Sequence, residues 1–245
     1  MSSRKTALVT GAAARIGAAI VETLHARGCD VVLHYNSSAE PAQRVVDRLN
    51  AKRANSASLA QADLSAPDDV ARLADEISGR FGRLDVLVNN ASRFYPTTAG
   101  ETLAWQWEDL LNSNLRGPYF LVQALLEPLK TAGGSVVNIV DIHAERPMKR
   151  HAVYCISKAG LAMMTQALAQ ELGPSVRVNG VSPGAILWAE NEQSRSLQQA
   201  ILDRTALGRT GEPADIATAV VYLALDAPYV TGQILAVDGG RSVNM

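Results

Sequence analysis

Tyr154 and Lys158 lie four positions apart in this 245-residue chain, and a phenol and an ammonium at that spacing could cooperate in proton transfer. On a helix the two side chains would lie on one face. A free tyrosine has a pKa of about 10, so it shuttles protons poorly at neutral pH. A nearby ammonium stabilises the phenolate and lowers that pKa. The pair therefore predicts acid catalysis near physiological pH.

The carboxyl group of Asp141 precedes the tyrosine by thirteen positions. When ionised it can accept hydrogen bonds from ring N–H groups, and when protonated it can donate one, so it suits a nitrogen heterocycle better than a ketone. An ionised Asp141 would raise the pKa of the neighbouring phenol and oppose Lys158. The three groups should therefore titrate as a coupled set, with an acid-shifted rate optimum. The alternative is that Asp141 only caps a helix or a turn.

The apolar pattern predicts the elements that must position these groups. Short runs rich in Val, Ile and Leu are typical of strands covered on both faces: KTALVT, DVVLHY, DVLVNN, GSVVNIV, VRVNGVS and ILAVDGG. Helical spacing between them predicts helices over residues 15–28, 40–52, 67–81, 103–130, 152–172 and 213–225. Strand and helix alternate without a linker, which predicts one α/β domain over residues 1–245, a doubly wound, mainly parallel sheet with helices on both faces.

Composition excludes several classes of partner. A formal net charge of −1 offers no electrostatic footprint for nucleic acid or for an anionic membrane, so a small ligand is the better prediction. Cys29 and Cys155 lie far apart without metal-ligand spacing, so neither a disulfide nor a metal site is predicted. The sequence shows neither a signal peptide nor an apolar run of about 18 residues, which predicts a cytoplasmic protein.

The predicted helix over residues 152–172 is apolar on more than one side, since Ile156, Leu161, Met163 and Leu168 do not share one stripe. Such a helix needs partners on two sides. A second subunit could cover the side that faces away from the sheet, or the helix could simply be central.

The turn between the first strand and the first helix, in ALVTGAAARIGAAI, predicts a dinucleotide site. Gly11 and Gly17 permit close approach of the backbone to a ligand, and the helix N-terminus offers N–H groups to a diphosphate. Arg15 occupies the middle glycine position of the G-x-G-x-x-G fingerprint, so the motif alone is weak. Alternatively, Gly11 forms a plain turn and Arg15 is solvated.

The end of the second strand predicts NADPH rather than NADH. It lacks the acid that would bind an unmodified ribose, whereas His34, Asn36 and Ser37 could surround a 2′-phosphate with donors. His34 could also be a partly buried strand histidine. Asp63 follows the third strand and could accept from the adenine amino group, or it could only cap the next helix.

Five motifs in order carry a resemblance to a known family: TGAAARIG, NNAS, NSNLRG, YCISK and VSPGA. The whole chain resembles the short-chain dehydrogenase/reductase family. The resemblance implies a single Rossmann-type domain, a tyrosine/lysine active site, and a homotetramer assembled through the long fourth and fifth helices and the C-terminal strand. It also implies that Asn114 holds a water that links Lys158 to solvent.

Asp141 stands where that family has a serine. With the arginine of ARIG, the run NNASRFYPT and the turn HYNSSAE, it makes the chain similar to the pteridine reductase branch, which reduces dihydropterins, and in some members pterins or folates, with NADPH. The resemblance implies that Arg15 lies between the cofactor phosphates and the pterin, that Ser92 binds both, and that Phe94 lays its ring over the pterin. Phe94 could instead be ordinary loop packing.

Further details of the resemblance concern the edges of the site. The branch tends to carry an arginine where this chain has Ser37, which bears on how tightly a 2′-phosphate would bind. The segment of residues 184–210 is expected to close over the substrate, with Trp188 as a wall of the pterin pocket. His143 and His151 flank the site in sequence and are predicted to be ordinary loop residues.

The predicted catalytic residues are Asp141, Tyr154, Lys158 and Asn114. The predicted cofactor-binding residues are Gly11, Arg15, Ile16, His34, Tyr35, Asn36, Ser37, Asp63, Leu64, Asn90, Ala91, Ser92, Tyr154, Lys158, Pro183 and Gly184. The predicted substrate-binding residues are Arg15, Ser92, Phe94, Asp141, Tyr154 and Trp188.

The expected function is NADPH-dependent reduction of a pterin or folate. One alternative is a reductase of a 3-oxoacyl thioester or another ketone, which a serine at position 141 and NNAG would have favoured. Another is a non-catalytic NADPH-binding regulator. Retention of Asn114, Tyr154 and Lys158 argues against that second alternative.

Overall fold

The structure, a computed structural model, describes residues 4–186 and 195–244. Within these residues seven strands form one parallel sheet in the order β3-β2-β1-β4-β5-β6-β7. The strands are β1 (Thr6–Val9), β2 (Asp30–Tyr35), β3 (Ala57–Gln61), β4 (Val86–Asn89), β5 (Ser135–Ile139), β6 (Arg177–Pro183) and β7 (Ile234–Val237). The six strands predicted from apolar runs are confirmed. The seventh, β3, was not among those runs.

The helices are α1 (Arg15–Ala26), α2 (Ala39–Lys52), α3 (Pro67–Phe81), α4 (Ala104–Leu111), α5 (Gly117–Ala124), α6 (Leu126–Ala132), α7 (Ala152–Leu172), α8 (Arg195–Asp203) and α9 (Pro213–Val221). Five of the six predicted helices are confirmed to within a few residues. The structure adds α8, which lies inside the segment that was expected to be a covering loop.

The predicted helix over residues 103–130 is wrong as a single helix. It divides into α4, a π-helical turn over Asn112–Arg116, α5 and α6. Pro118 and Pro128 lack the N–H that would bond to the carbonyl four residues earlier, so the hydrogen-bond ladder must change at both points. The π-helical turn is one of these changes, and it carries Asn114.

The strand order places a crevice at the carboxyl edge of the sheet. From β1 the chain builds β2 and β3 on one side, and then crosses over to β4 on the other side. Val9 at the end of β1 therefore pairs with Leu33 in β2 and with Val88 in β4. Loops that leave β1 and β4 diverge to opposite faces, which opens a ligand crevice between them.

Helices cover both faces of the sheet, as a doubly wound fold requires. Ala7 and Val9 of β1 pack with α1, α2 and α9, whereas Leu8 packs with α3, α5 and α7. On α7, Leu161 and Leu168 are buried against the sheet, while Ile156 and Met163 are exposed on the opposite side. The predicted two-sided apolar character of this helix is confirmed.

Two further observations concern the chain as a whole. Among the described residues, none of the helices is long and apolar enough to cross a membrane. Cys29 and Cys155 are both buried and carry free thiols.

Candidate active site

Asp141 and Tyr154 meet at the carboxyl edge of β5. The Tyr154 hydroxyl donates to Asp141 Oδ2 at 2.8 Å, from the first turn of α7. The other carboxylate oxygen, Oδ1, accepts from the backbone N–H of His143 at 2.8 Å and so caps the short 3₁₀ helix Ile142–Ala144. Asp141 is thus both a turn cap and a direct partner of the phenol, because each of its oxygens serves one purpose.

Lys158 lies one helical turn beyond the tyrosine and is buried. Its ammonium donates to the carbonyl of Ile139 at 2.9 Å and stands 5.8 Å from the centre of the Tyr154 ring. Burial lowers the pKa of Lys158 to about 8, while the charge of Asp141 acts in the opposite direction. The ammonium form therefore still predominates at neutral pH.

Tyr154 departs from the expectation that Lys158 lowers its pKa. Burial raises the pKa of the phenol above its ordinary value, and the charge of Asp141 and the hydrogen bond to it raise the pKa further. The predicted lowering of the pKa is wrong for this structure, because burial and the contact with Asp141 outweigh the ammonium across the ring, whereas the predicted raising effect of Asp141 is confirmed. Tyr154 consequently holds its proton at neutral pH, but it is a weaker acid than a free tyrosine, so proton transfer depends on stabilisation of the phenolate by Lys158.

Asn114 holds the segment that follows β4. Its side-chain oxygen accepts from the backbone N–H of Arg93 at 2.8 Å, and its amide donates to the carbonyl of Arg93 at 3.0 Å. The same amide donates to Ser157 Oγ at 3.1 Å, and that hydroxyl donates to the carbonyl of Tyr154 at 2.7 Å. A π-helical turn often marks a functional position. The water expected between Asn114 and Lys158 remains a prediction.

Phe94 forms a flat wall beside the phenol. Its ring is 56% exposed and meets the Tyr154 ring edge-on, with centroids 4.8 Å apart and planes at 82°. The imidazole of His151 is stacked on the same ring at 4.7 Å and 10°. His151 is the N-cap of α7 and lies in the preceding loop, as predicted. Its stacking on Phe94 was not predicted from the sequence.

The loops that follow β1 and β4 are joined at the crevice. Asn90 donates through its amide to the carbonyls of Thr10 and Gly11, at 2.9 and 3.0 Å. The Thr10 hydroxyl accepts from the backbone N–H groups of Asn90 and Ala91. These bonds fix the small-residue turn in front of α1.

Gly11 in this turn and Gly17 in α1 allow the segments after β1 and β4 to approach more closely than any other residue would permit. Gly11 has a φ of 62°, and a Cβ there would lie 2.9 Å from the Cα of Ala91. A Cβ at Gly17 would lie 2.7 Å from the amide nitrogen of Asn90. The first N–H groups of α1 face this turn, so the cradle fits the diphosphate of a dinucleotide. Arg15, the first residue of α1, is exposed.

His34 differs from its predicted role as a donor to a 2′-phosphate. It is 1% exposed, its Nδ1 accepts from the backbone N–H of Gly11 at 3.2 Å, and its Nε2 bonds to the carbonyl of Ala62 at 3.0 Å. Burial lowers its pKa to about 4, so the ring is neutral. Both nitrogens are engaged beneath the glycine turn, so His34 supports the cradle and offers no donor to a ligand. Its open alternative, a buried strand histidine, is correct.

The other residues at this turn remain available. Asn36 and Ser37 follow the end of β2 and are exposed, and Tyr35 is half-buried. Asp63 accepts through Oδ1 from both the N–H and the hydroxyl of Ser65. Burial raises the pKa of Asp63, but these bonds and the charge of Arg93 lower it more. Its role toward adenine remains a prediction; its side chain closes a turn with Ser65, while the N-cap of α3 is Ala66.

The remaining predicted positions surround the crevice or fall outside the described part of the chain. Ser92 is exposed, Leu64 is buried, and Ile16 packs partly against the core. Pro183 ends β6, and a Cβ at Gly184 would lie 2.7 Å from the Cα of Asp238. Trp188 lies outside the described residues.

A nicotinamide dinucleotide fits this set of residues. The glycine cradle suits its diphosphate, the exposed side chains after β2 suit the adenosine ribose, and Lys158 with Tyr154 suits the reactive end. Within residues 4–186 and 195–244, groups of three or more His, Cys, Asp or Glu that could hold a metal ion do not occur.

Comparison with known proteins gives one family and two kinds of relative. A family model described as enoyl-(acyl carrier protein) reductase matches residues 11–242. Pteridine reductase 1 of Leishmania tarentolae is 36% identical, over 97% of this chain and 96% of the relative. The 3-oxoacyl-(acyl-carrier-protein) reductases of Staphylococcus epidermidis and Staphylococcus aureus are 35% and 34% identical, over 96% and 98% of this chain and 98% and 99% of the relatives. Overall similarity therefore does not separate the two kinds.

Proposed function

The chain belongs to the short-chain dehydrogenase/reductase family and is an oxidoreductase, and we propose that it reduces dihydropterins to tetrahydropterins with NADPH. The observation that carries this proposal is the 2.8 Å hydrogen bond between the Tyr154 hydroxyl and the Asp141 carboxylate, beside the exposed ring of Phe94. A ketone needs one donor at its oxygen. A pterin needs a proton at a ring nitrogen and acceptors for its other N–H groups, and this pair offers both.

The proton chemistry follows from the two side chains. NADPH, when bound, supplies a hydride to a ring carbon of the substrate. Tyr154 holds a proton on its hydroxyl at neutral pH and delivers it to the adjacent ring nitrogen. Asp141 Oδ2 accepts from a substrate N–H, or takes a proton from solvent water and passes it to the phenolate, because it already lies within hydrogen-bond distance of that oxygen. Lys158 stabilises the phenolate while it exists.

The ring of Phe94 favours substrates that are flat. Phe94 offers an exposed ring face to a flat heterocycle, which would lie between that ring and the nicotinamide. Stacking of two aromatic rings contributes about 0.5–1.5 kcal/mol beyond buried area. An acyl chain has no flat face and would not gain this contribution.

NADPH is the proposed cofactor because the turn after β2 has exposed donors and lacks a carboxylate at the ribose position. Asn36 and Ser37 are available there, and Arg15 adds positive charge from the start of α1. Because both ring nitrogens of His34 are already hydrogen-bonded within the protein, recognition of the 2′-phosphate depends on fewer groups than the sequence analysis predicted.

The second candidate function is reduction of a 3-oxoacyl thioester, which the Staphylococcus relatives favour. Against it stands Asp141, whose carboxylate would lie next to the negative charge that develops on a ketone oxygen. A non-catalytic regulator is opposed by the retention of Tyr154 bonded to Asp141, with the Lys158 ammonium beside the tyrosine ring.

Assembly and location complete the proposal. We expect a homotetramer, because apolar side chains on α5, α7 and β7 are exposed in the single chain; they are Tyr119, Phe120, Ile156, Met163 and Leu235. Free buried thiols suit the cytoplasm, which we propose as its location.

The test is NADPH oxidation by the purified protein with four substrates in parallel: dihydrobiopterin, dihydromonapterin, dihydrofolate and an acetoacetyl thioester. We expect turnover of at least one pterin or folate and little turnover of the thioester. Asp141→Ser is the matched variant, because it replaces the carboxyl with the hydroxyl that suits a ketone. It should lose pterin activity selectively, and wild-type turnover of the thioester alone would overturn the assignment.

A further inference from the structure

We propose that His151 is a positioning residue for substrate binding, which acts by holding the ring of Phe94 in the orientation that stacks a flat substrate. This inference rests on the proposed function, because it concerns the ring wall of the same site. Its basis is the geometry of three side chains at the start of α7.

Phe94 is held on one face and one edge. His151 lies parallel to it at 4.7 Å, and Tyr154 meets its edge at 4.8 Å. Phe94 nevertheless remains 56% exposed. The imidazole and the phenol therefore leave more than half of the Phe94 surface accessible to a ligand.

The imidazole itself is fixed. His151 Nδ1 bonds to the carbonyl of Lys149 at 3.0 Å, and since a carbonyl can only accept, this nitrogen carries the hydrogen. The backbone N–H of His151 donates to the carbonyl of Met148 at 3.2 Å, and its carbonyl accepts from Cys155 N–H at 3.0 Å. The ring therefore stands at a fixed place at the start of α7, three residues before Tyr154.

The segments that carry the two rings are also joined to each other. Thr97, which is 1% exposed, donates its backbone N–H to the carbonyl of Arg150 at 2.6 Å. Its hydroxyl accepts from the backbone N–H of Val153 at 3.2 Å. The backbones on both sides of the stack are thus held, and the freedom that remains to Phe94 is rotation of its own side chain.

Contact with the imidazole restricts that rotation. Without it, the phenyl ring would occupy other rotamers for part of the time, and apparent affinity falls with the fraction of molecules that are competent to bind. For a stacked aromatic pair the loss corresponds to a roughly 3- to 10-fold rise in KM, with kcat largely retained. NADPH affinity should not change.

A double-mutant cycle tests this role. The variants are His151→Ala, Phe94→Ala and the double variant, with His151→Phe as the conservative change that keeps a stacking ring. Lys149→Ala serves as the control for a general disturbance of the same turn. For each protein, KM and kcat for the pterin that the wild type reduces best, the NADPH dissociation constant and the melting temperature are measured.

We expect His151→Ala to raise KM about 3- to 10-fold in the wild-type background and to have no further effect in the Phe94→Ala background. His151→Phe should restore KM to within about twofold, and Lys149→Ala should leave it unchanged. An equal effect of His151→Ala in both backgrounds would mean direct contact with substrate and would overturn the positioning role. An unchanged KM in His151→Ala would overturn it too.

The two proposals fail in different ways. Inactivity of the wild type toward every pterin and folate, with NADPH bound normally, overturns the proposed function and this inference with it. Wild-type pterin activity together with an additive cycle overturns only the role of His151.

Discussion

The reactive end and the cofactor-selecting end of the crevice differ in how far their polar groups are already paired. At the reactive end, the Tyr154 hydroxyl, both oxygens of Asp141 and the Lys158 ammonium all have partners. At the other end, within the part of the chain that the structure describes, the side chains of Asn36 and Ser37 are exposed and make no hydrogen bonds.

This difference indicates which interactions are organised in advance. Groups held in place before the substrate binds stabilise a transition state without a further cost of reorganisation. Exposed groups must be ordered when the ligand arrives, so each contributes less. Substitutions at the reactive end should therefore act mainly on kcat and strongly, and those at the other end should act on binding and weakly.

The strongest test of the comparison is Tyr154→Phe. Removing the hydroxyl takes away the proton donor and leaves the ring that packs against Phe94. We expect kcat to fall by roughly 10² to 10⁴, with the NADPH dissociation constant unchanged in a fluorescence titration. A loss of less than about tenfold would show that Asp141 or water can protonate the substrate unaided.

His34 is an exception to this difference, because it lies at the cofactor end but is paired and buried like the reactive groups. Burial lowers its pKa from 6.5 to about 4, so between these values the unfolded chain binds more protons than the folded chain. Its contribution to stability is complete above pH 6.5 and is lost as the pH falls to about 4. The loss should reach about 3 kcal/mol.

The measurement is urea unfolding of the wild type and His34→Gln across that pH range. The variant keeps an amide that can donate and accept, but it does not titrate. Wild-type stability should therefore fall more steeply than that of the variant toward low pH. Equal slopes would show that His34 is not the group responsible.

The next test concerns the glycine cradle. Gly17→Ala places a methyl group about where the amide nitrogen of Asn90 now approaches, at 2.7 Å. Overpacking costs about 1–3 kcal/mol, which corresponds to a roughly 5- to 150-fold weaker affinity for NADPH if the loop must move to accommodate it. Gly79→Ala is the matched control, since a Cβ there meets nothing within 4 Å. Equal NADPH affinity in both variants would contradict the cradle.

The smallest effect is expected at Ser37. Ser37→Arg adds a positive charge at the exposed end of β2, where the 2′-phosphate is proposed to bind. Exposed ion pairs contribute about 0.2–1 kcal/mol, so the NADPH dissociation constant should fall by at most about fivefold, and less at high salt. NADH affinity is the internal control and should stay constant. A parallel gain for NADH would place the phosphate elsewhere.

Much of the fold could be predicted because apolar runs and helical spacing are local properties. The doubly wound sheet and the placement of Tyr154 and Lys158 one turn apart on α7 follow from them. The break at Asn112–Arg116 was missed because the apolar pattern runs through it, although Pro118 and Pro128 gave a local signal.

The site was less predictable, because its details depend on distances that the sequence does not contain. The direction of the Tyr154 pKa shift depends first on how deeply the phenol is buried and then on its contact with Asp141, and neither can be read from the sequence. The role of His34 depends on the glycine turn that covers it. The stacking of His151 on Phe94 depends on the turn that precedes α7, and the spacing of residues in a turn does not predict where a side chain lies.

The bonds of Asn114 have a mechanical consequence. Through Arg93 on one side and Ser157 on the other, this one amide couples the segment that bears Phe94 to the start of α7. The segment that bears the ring wall and the helix that bears the phenol are thus joined by one side chain. A substrate too thick for the slot would push the acid away together with the wall, so ring thickness would govern turnover as well as affinity.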